Sequence, residues 1–83
     1  MTYWEDLWSG TAVAQYEALP LAARDQVDAC IREIRRDPHG AGEELPIEAR
    51  RPFYGAQAGL VNVVYQIDEI GEAVLIVRVV DRG

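Results

Sequence analysis

The sequence predicts an α+β fold: an N-terminal strand, a helical hairpin, then an antiparallel sheet of about three further strands. Three observations carry this. Ala23, Val27, Cys30, Ile31 and Ile34 recur at i, i+4, i+7, i+8 and i+11, the apolar stripe of an amphipathic helix. Beyond residue 49 the apolar period changes to two, and Val, Ile and Tyr dominate. Proline and glycine fall between these segments as punctuation and form no linker. With 83 residues there is material for one small core, so residues 1–83 read as a single domain.

The elements follow in order. Tyr3 to Trp8 is a short aromatic-rich strand, with Trp4 and Trp8 on one side of it for core packing. Ser9 stands where a helix N-cap belongs, and Val13, Tyr16 and Leu19 follow at helical spacing. Leu19-Pro20 is a tight joint, with proline tolerated in the first turn of the next helix. That second helix ends with Arg35 and Arg36, which favour the negative pole of its dipole, before Asp37-Pro38-His39-Gly40 stops it. Residues 38–49 read as a polar loop. Arg50 to Gln57 is a strand weakened by Pro52 and Gly55, and Leu60 to Ile67 and Glu72 to Val80 are the strong pair. Asp68-Glu69-Ile70-Gly71 suggests a three-residue hairpin loop with Gly71 in the left-handed position.

That loop implies a register. Pairing Asp68 with Glu72 sets Asn62 opposite Arg78 and Val64 opposite Ile76. One face then carries Val61, Val63, Tyr65, Ile67, Ala73, Leu75, Val77 and Val79, for the helices to cover. The other carries Leu60, Asn62, Val64, Gln66, Val74, Ile76, Arg78, Val80 and Arg82. It is too apolar for a merely solvated surface and is expected to bind a partner or a second copy.

Composition narrows the function. Fourteen acids oppose eight bases, for a formal charge of −6, and every base is arginine. Lysine chemistry is excluded, and the overall charge is that of no general nucleic-acid binder. Residues 1–48 hold ten of the acids and four arginines, while residues 49–83 hold four of each. The sheet half is therefore neutral and can meet RNA. One cysteine forms no internal disulfide, and with one histidine it supplies no four-ligand zinc site, so neither metal nor cofactor is expected. Met1 to Asp6 lacks a basic signal-like start, and no apolar run nears the roughly 18 residues of a membrane span. A cytoplasmic protein without membrane contact is expected.

Together these residues resemble the RelE/ParE toxins of bacterial toxin–antitoxin modules. The likeness rests on Trp8-Ser9, Ala12, Leu19-Pro20, Arg24, the second-helix stripe and Asp37-Pro38. It continues through Gly59, Val63-Val64-Tyr65-Gln66-Ile67-Asp68 and Val77-Arg78-Val79-Val80-Asp81-Arg82. It covers nearly the whole chain. The resemblance implies a type II toxin whose partners are a cognate antitoxin, the ribosome and mRNA. The RelE activity is metal-independent: a ribose 2′-OH attacks the adjacent phosphate, and the enzyme supplies base, acid and a cation over the phosphorane. The ParE alternative is a non-catalytic module that binds a protein target such as gyrase, or an inactive homologue that binds antitoxin only.

The resemblance carries over unevenly. Arg82 aligns with the arginine that closes the last strand, whereas the family's Gly-x-Tyr-Arg reads Gly59-Leu60-Val61-Asn62. Phe53 and Gly55 stand where the family has strand lysines. Arg82 and Arg78 are thus the catalytic candidates, as cations over phosphate. Arg50, Arg51, Asn62, Val64 and Ile76 are candidates for RNA or partner binding. His39 is placed by the pattern away from the open face, and Cys30 and Tyr65 read as core. Tyr54 is open between core and rim. Glu43, Glu44 and Glu48 read as solvated charge that would repel RNA.

Overall fold

The computed structural model describes residues 3–83. β1 (Glu5–Trp8) leads into α1 (Gly10–Glu17) and α2 (Leu21–Arg36), then one short helical turn, α3 (Pro38–Ala41). The two-residue β2 (Glu43–Glu44) precedes β3 (Phe53–Ala58), β4 (Val61–Asp68) and β5 (Ala73–Asp81). The five strands lie in the order β1-β5-β4-β3-β2, with β1 parallel to β5 and every other pair antiparallel. The helices cover one face.

Ser9 starts α1 as its position predicts: its Oγ accepts the Ala12 N–H at 3.0 Å. The same hydroxyl donates to the Val77 carbonyl at 3.0 Å, and Gln15 Oε1 accepts the Val79 N–H at 2.8 Å. β1 stops pairing at Trp8–Ile76, so these two side chains satisfy the edge of β5 that β1 leaves uncovered. The joint between the helices is held by Arg24, whose Nε donates to Leu19 O at 3.0 Å while its guanidinium also bonds Glu17 O. Glu17 O is a C-terminal carbonyl of α1, and Leu19 O lies just past the helix end. Pro20 sits at the N-cap of α2, one position before the first turn. Val27, Ile31 and Ile34 are the buried residues of α2, and Tyr16 Oη bonds Asp28 at 2.7 Å across the hairpin.

Residues 38–49 are more ordered than a polar loop. Asp37 caps α3 by accepting the Gly40 N–H at 3.1 Å, and β2 pairs with Tyr54 and Gly55 to make a fifth strand. β3 begins at Phe53, because Pro52 has no N–H to offer a ladder. Arg50 and Arg51 consequently lie before the strand.

The hairpin differs from the expected one. Asp68 pairs with Ala73, so four residues form the loop. Asp68 Oδ1 accepts the Gly71 N–H at 3.1 Å, and Glu72, with φ 49°, takes the left-handed position expected of Gly71. A Cβ at Gly71 would meet Asp68 Oδ2 at 2.6 Å, so the carboxylate that caps the turn would have to move. The ladder then shifts again, from Tyr65–Ile76 to Val64–Arg78, leaving Val77 as the extra residue of a β-bulge. Its carbonyl is the one Ser9 satisfies.

Two shifts rearrange β5 and leave β4 as expected. Val61, Val63, Tyr65 and Ile67 are buried under the helices. Opposite them lie Val74 and Ile76, both at 0% exposure, while Leu75 pairs with Gln66 on the uncovered side. The assignment of Ile76 and Val74 to the open face is therefore corrected, as is that of Leu75 to the covered one. The four-residue turn moves residues 73–76 by one position, and the bulge at Val77 restores the expected faces from Arg78 onward.

Candidate functional site on the open sheet face

The paired residues of successive strands define rows across the uncovered face. One row runs Glu43, Gly55, Val64, Arg78; the next runs Gln57, Asn62, Val80. On the other side of the Arg78 row lie Phe53, Gln66, Leu75 and Leu7. Arg82 donates its N–H to Leu60 O at 2.9 Å, so the ladder continues past β5 and keeps Arg78, Val80 and Arg82 on one side. Both side chains are exposed, and four residues at about 3.3 Å each put their backbones about 13 Å apart. That spacing suits two phosphates along a strand of RNA and is too wide for one.

Most of the sequence candidates meet here. Arg78, Arg82, Asn62 and Val64 share the face. Arg50 and Arg51 are exposed beside it, and Gln66 Nε2 donates to Arg51 O at 3.0 Å, which ties their segment to the open side. Ile76 does not belong. Its burial, with that of Val74, also removes both from any dimer surface on this face.

The remaining chemical side chains have local roles. Tyr65 donates to Pro38 O at 2.6 Å and stacks on Tyr54 at 5.6 Å, and burial, the largest cause, pushes its phenol up to about 12. Tyr54 pairs with Tyr65 and packs against the core. Burial also raises the Cys30 thiol. His39 lies in α3, 2.5 Å from Glu69 and edge-on to Tyr54 at 6.1 Å. Trp4 and Trp8 pack on the core, and Trp8 donates to Asp6 at 2.8 Å.

Sequence reasoning missed one end of the site. A cavity of about 450 Å³ opens where the 40–43 segment leaves β3, with Glu43, Leu45, Gly55, Gln57, Asn62 and Val64 in its walls. Leu45 overlies Gly55, where a Cβ would meet its Cδ2 at 3.1 Å. A two-residue strand has no period to detect, so Glu43 read as loop.

No family model matches the sequence, and no curated protein matches it. Solved structures do. The toxin of the RelBE2 toxin–antitoxin complex from Mycobacterium tuberculosis aligns with 99% of this chain and 94% of its own, at 25% identity and TM-score 0.87. This chain shares the fold of the RelE toxins. The archaeal RelE–RelB complex from Pyrococcus horikoshii matches 100% of this chain and 98% of its own, at 20% identity and TM-score 0.78. Isolated E. coli RelE matches 96% and 85%, at 16% identity and TM-score 0.77.

Within this RelE-type fold the open face offers two guanidiniums, three amides and one carboxylate in the rows described above. Guanidiniums stabilise phosphorane charge but stay protonated, so they are poor general bases. Amides orient and carry no charge. The described residues include no helix long and apolar enough to cross a membrane.

Proposed function

We propose that this chain is the toxin of a type II toxin–antitoxin pair, bound by a cognate RelB-type antitoxin and directed at ribosome-bound mRNA in the cytoplasm. The observation that carries the reading is the near full-length likeness to RelE combined with Arg78 and Arg82 on the uncovered face. RNA crosses that face with two phosphates of one strand on the two guanidiniums. The ribose 2′-OH attacks the neighbouring phosphate and gives its proton to water. The bond from phosphorus to the 5′-oxygen breaks to leave a 2′,3′-cyclic phosphate, the departing 5′-oxygen takes a proton from water, and the guanidiniums take up the charge of the phosphorane. With no base beside them, cleavage is slow relative to binding.

Induced expression with mapping of mRNA 5′ ends tests this. Growth arrest and cuts within the ribosomal A-site codon are expected, and Arg82→Ala should lower cutting about 10²-fold. Normal growth with no new 5′ ends would remove the reading. A second reading, a binding module without catalysis, is favoured by the absence of lysine from the whole sequence. It predicts growth arrest without cuts, or antitoxin binding alone.

A further inference from the structure

The cross-strand row Glu43, Gly55, Val64, Arg78 takes one residue from each of β2, β3, β4 and β5 and carries opposite charges at its two ends. With strands about 4.8 Å apart, its midpoint falls between β3 and β4, and each charged residue stands about 7 Å from it. Reversed end for end, such a row is its own complement. A two-fold axis parallel to the strands and above that midpoint lays a second copy on the first, β2 over β5 and β3 over β4. Glu43 of each copy then stands opposite Arg78 of the other. Face-packed sheets lie about 10 Å apart, a gap that one arginine and one glutamate side chain span together.

The neighbouring rows obey the same reversal. Gln57 and Asn62 are partners across β3 and β4, so the axis sets Gln57 of one copy on Asn62 of the other. Two primary amides bond reciprocally, each N–H donating to the other's carbonyl. Leu45, whose N–H donates to Phe53 O at 2.8 Å, lies over Gly55 on the open side. Across the axis it meets Val64, with Leu75 in the next row, so aliphatic side chains of both copies surround the axis. Val80, 37% exposed on β5, falls over the cavity walled by Ala41, Gly42 and Gln57. An exposed aliphatic side chain and an open hollow thus lie on opposite sides of the axis. We infer that the open face is a homodimer interface, on which a second copy of this chain packs face to face with Glu43 and Arg78 paired reciprocally.

The inference stands independently of the mRNA reading and gives Glu43 a role that phosphate binding does not, since a carboxylate repels phosphate. Four strands and three rows cover about 20 Å by about 20 Å. That is less than the roughly 800 Å² per partner of a standard interface, so the dimer is weak and concentration-dependent. While it lasts, each Arg78 is held by a carboxylate and the face is closed. Any other ligand of the face must displace the second copy.

The test is sedimentation velocity on the purified full chain from about 10 μM to about 1 mM, the range of a weak association. A monomer-to-dimer transition is expected, moving to higher concentration as salt is added. Glu43→Arg and Arg78→Glu each set like charges opposite one another across the axis and should raise the dissociation constant about 100-fold or more. The double variant Glu43→Arg/Arg78→Glu should dimerise again. An equimolar mixture of the two single variants should also form a dimer, because every pair across the axis is then of opposite sign. An NMR spectrum of each single variant establishes that it is folded. A chain that stays monomeric at about 1 mM, single variants that dimerise as the parent does, or a mixture of folded single variants that stays monomeric would overturn the inference. A-site cuts by a chain that never dimerises keep the mRNA reading and remove the dimer. Dimerisation restored by mixing, in a chain that makes no cuts, keeps the dimer and removes the mRNA reading.

Discussion

The two faces of the sheet are built by the same strands and do opposite work. On the helix side, Val63, Tyr65, Val74 and Ile76 are all at 0% exposure, and the one polar atom among their side chains is satisfied by Pro38 O. On the other side, β4 and β5 bring Asn62 and Arg78 to the surface, and β3 and β2 add Gln57 and Glu43. Alternation in a strand lets one segment serve stability and recognition together, provided its register is held. Here the register of β5 is held at two points, by Asp68 at the turn and by Ser9 at the bulge.

The sharpest way to break the contrast is to truncate one residue on each side. Ile76→Ala should cost about 2–5 kcal/mol, the range for a large aliphatic lost from a close-packed site. Val64→Ala, part-exposed on the open face, should cost less than about 1 kcal/mol. Paired urea denaturation curves check this. Equal losses would mean that the face assignment from the bulged register is wrong.

A smaller effect should come from the buried phenol. Tyr65 titrates near 12 in the folded chain against an ordinary 10.0, chiefly because burial disfavours its charged form. A raised folded value means that its contribution is fully present below pH 10 and is lost as pH climbs through 12. Tyr65→Phe should lose about 1 kcal/mol at neutral pH with the bond to Pro38, and should flatten part of the alkaline decline. Denaturation midpoints at neutral and alkaline pH measure both. The smallest stability effect belongs to the open face: Arg82→Ala and Arg78→Ala should each stay within about 0.5 kcal/mol of the parent. With a cutting defect in Arg82→Ala, such stability would separate function from folding on the two sides of one sheet.

Much of this was legible before any coordinates. The stripe of α2, the Ser9 cap, the alternation of β4 and the Arg78–Arg82 pair are local patterns, and they led to the α+β class and to the family likeness. The misplaced residues share a cause. Ile76 and Leu75 exchanged faces because the turn takes four residues, and the bulge at Val77, whose carbonyl meets a hydroxyl 68 positions away in sequence, returns Arg78 to the open face. Glu43 joined the site through a strand too short to leave a pattern. Arg50 and Arg51 lie outside β3 because Pro52 sets its boundary.

The sequence by itself determined which segments become helix and strand, where the charge lies and which chemistry is missing, because those follow from side-chain identity and short-range periodicity. Only the tertiary structure decided which residues of β5 face the helices and which carboxylate shares a row with Arg78. Those depend on register, and register depends on hydrogen bonds between residues far apart in the chain.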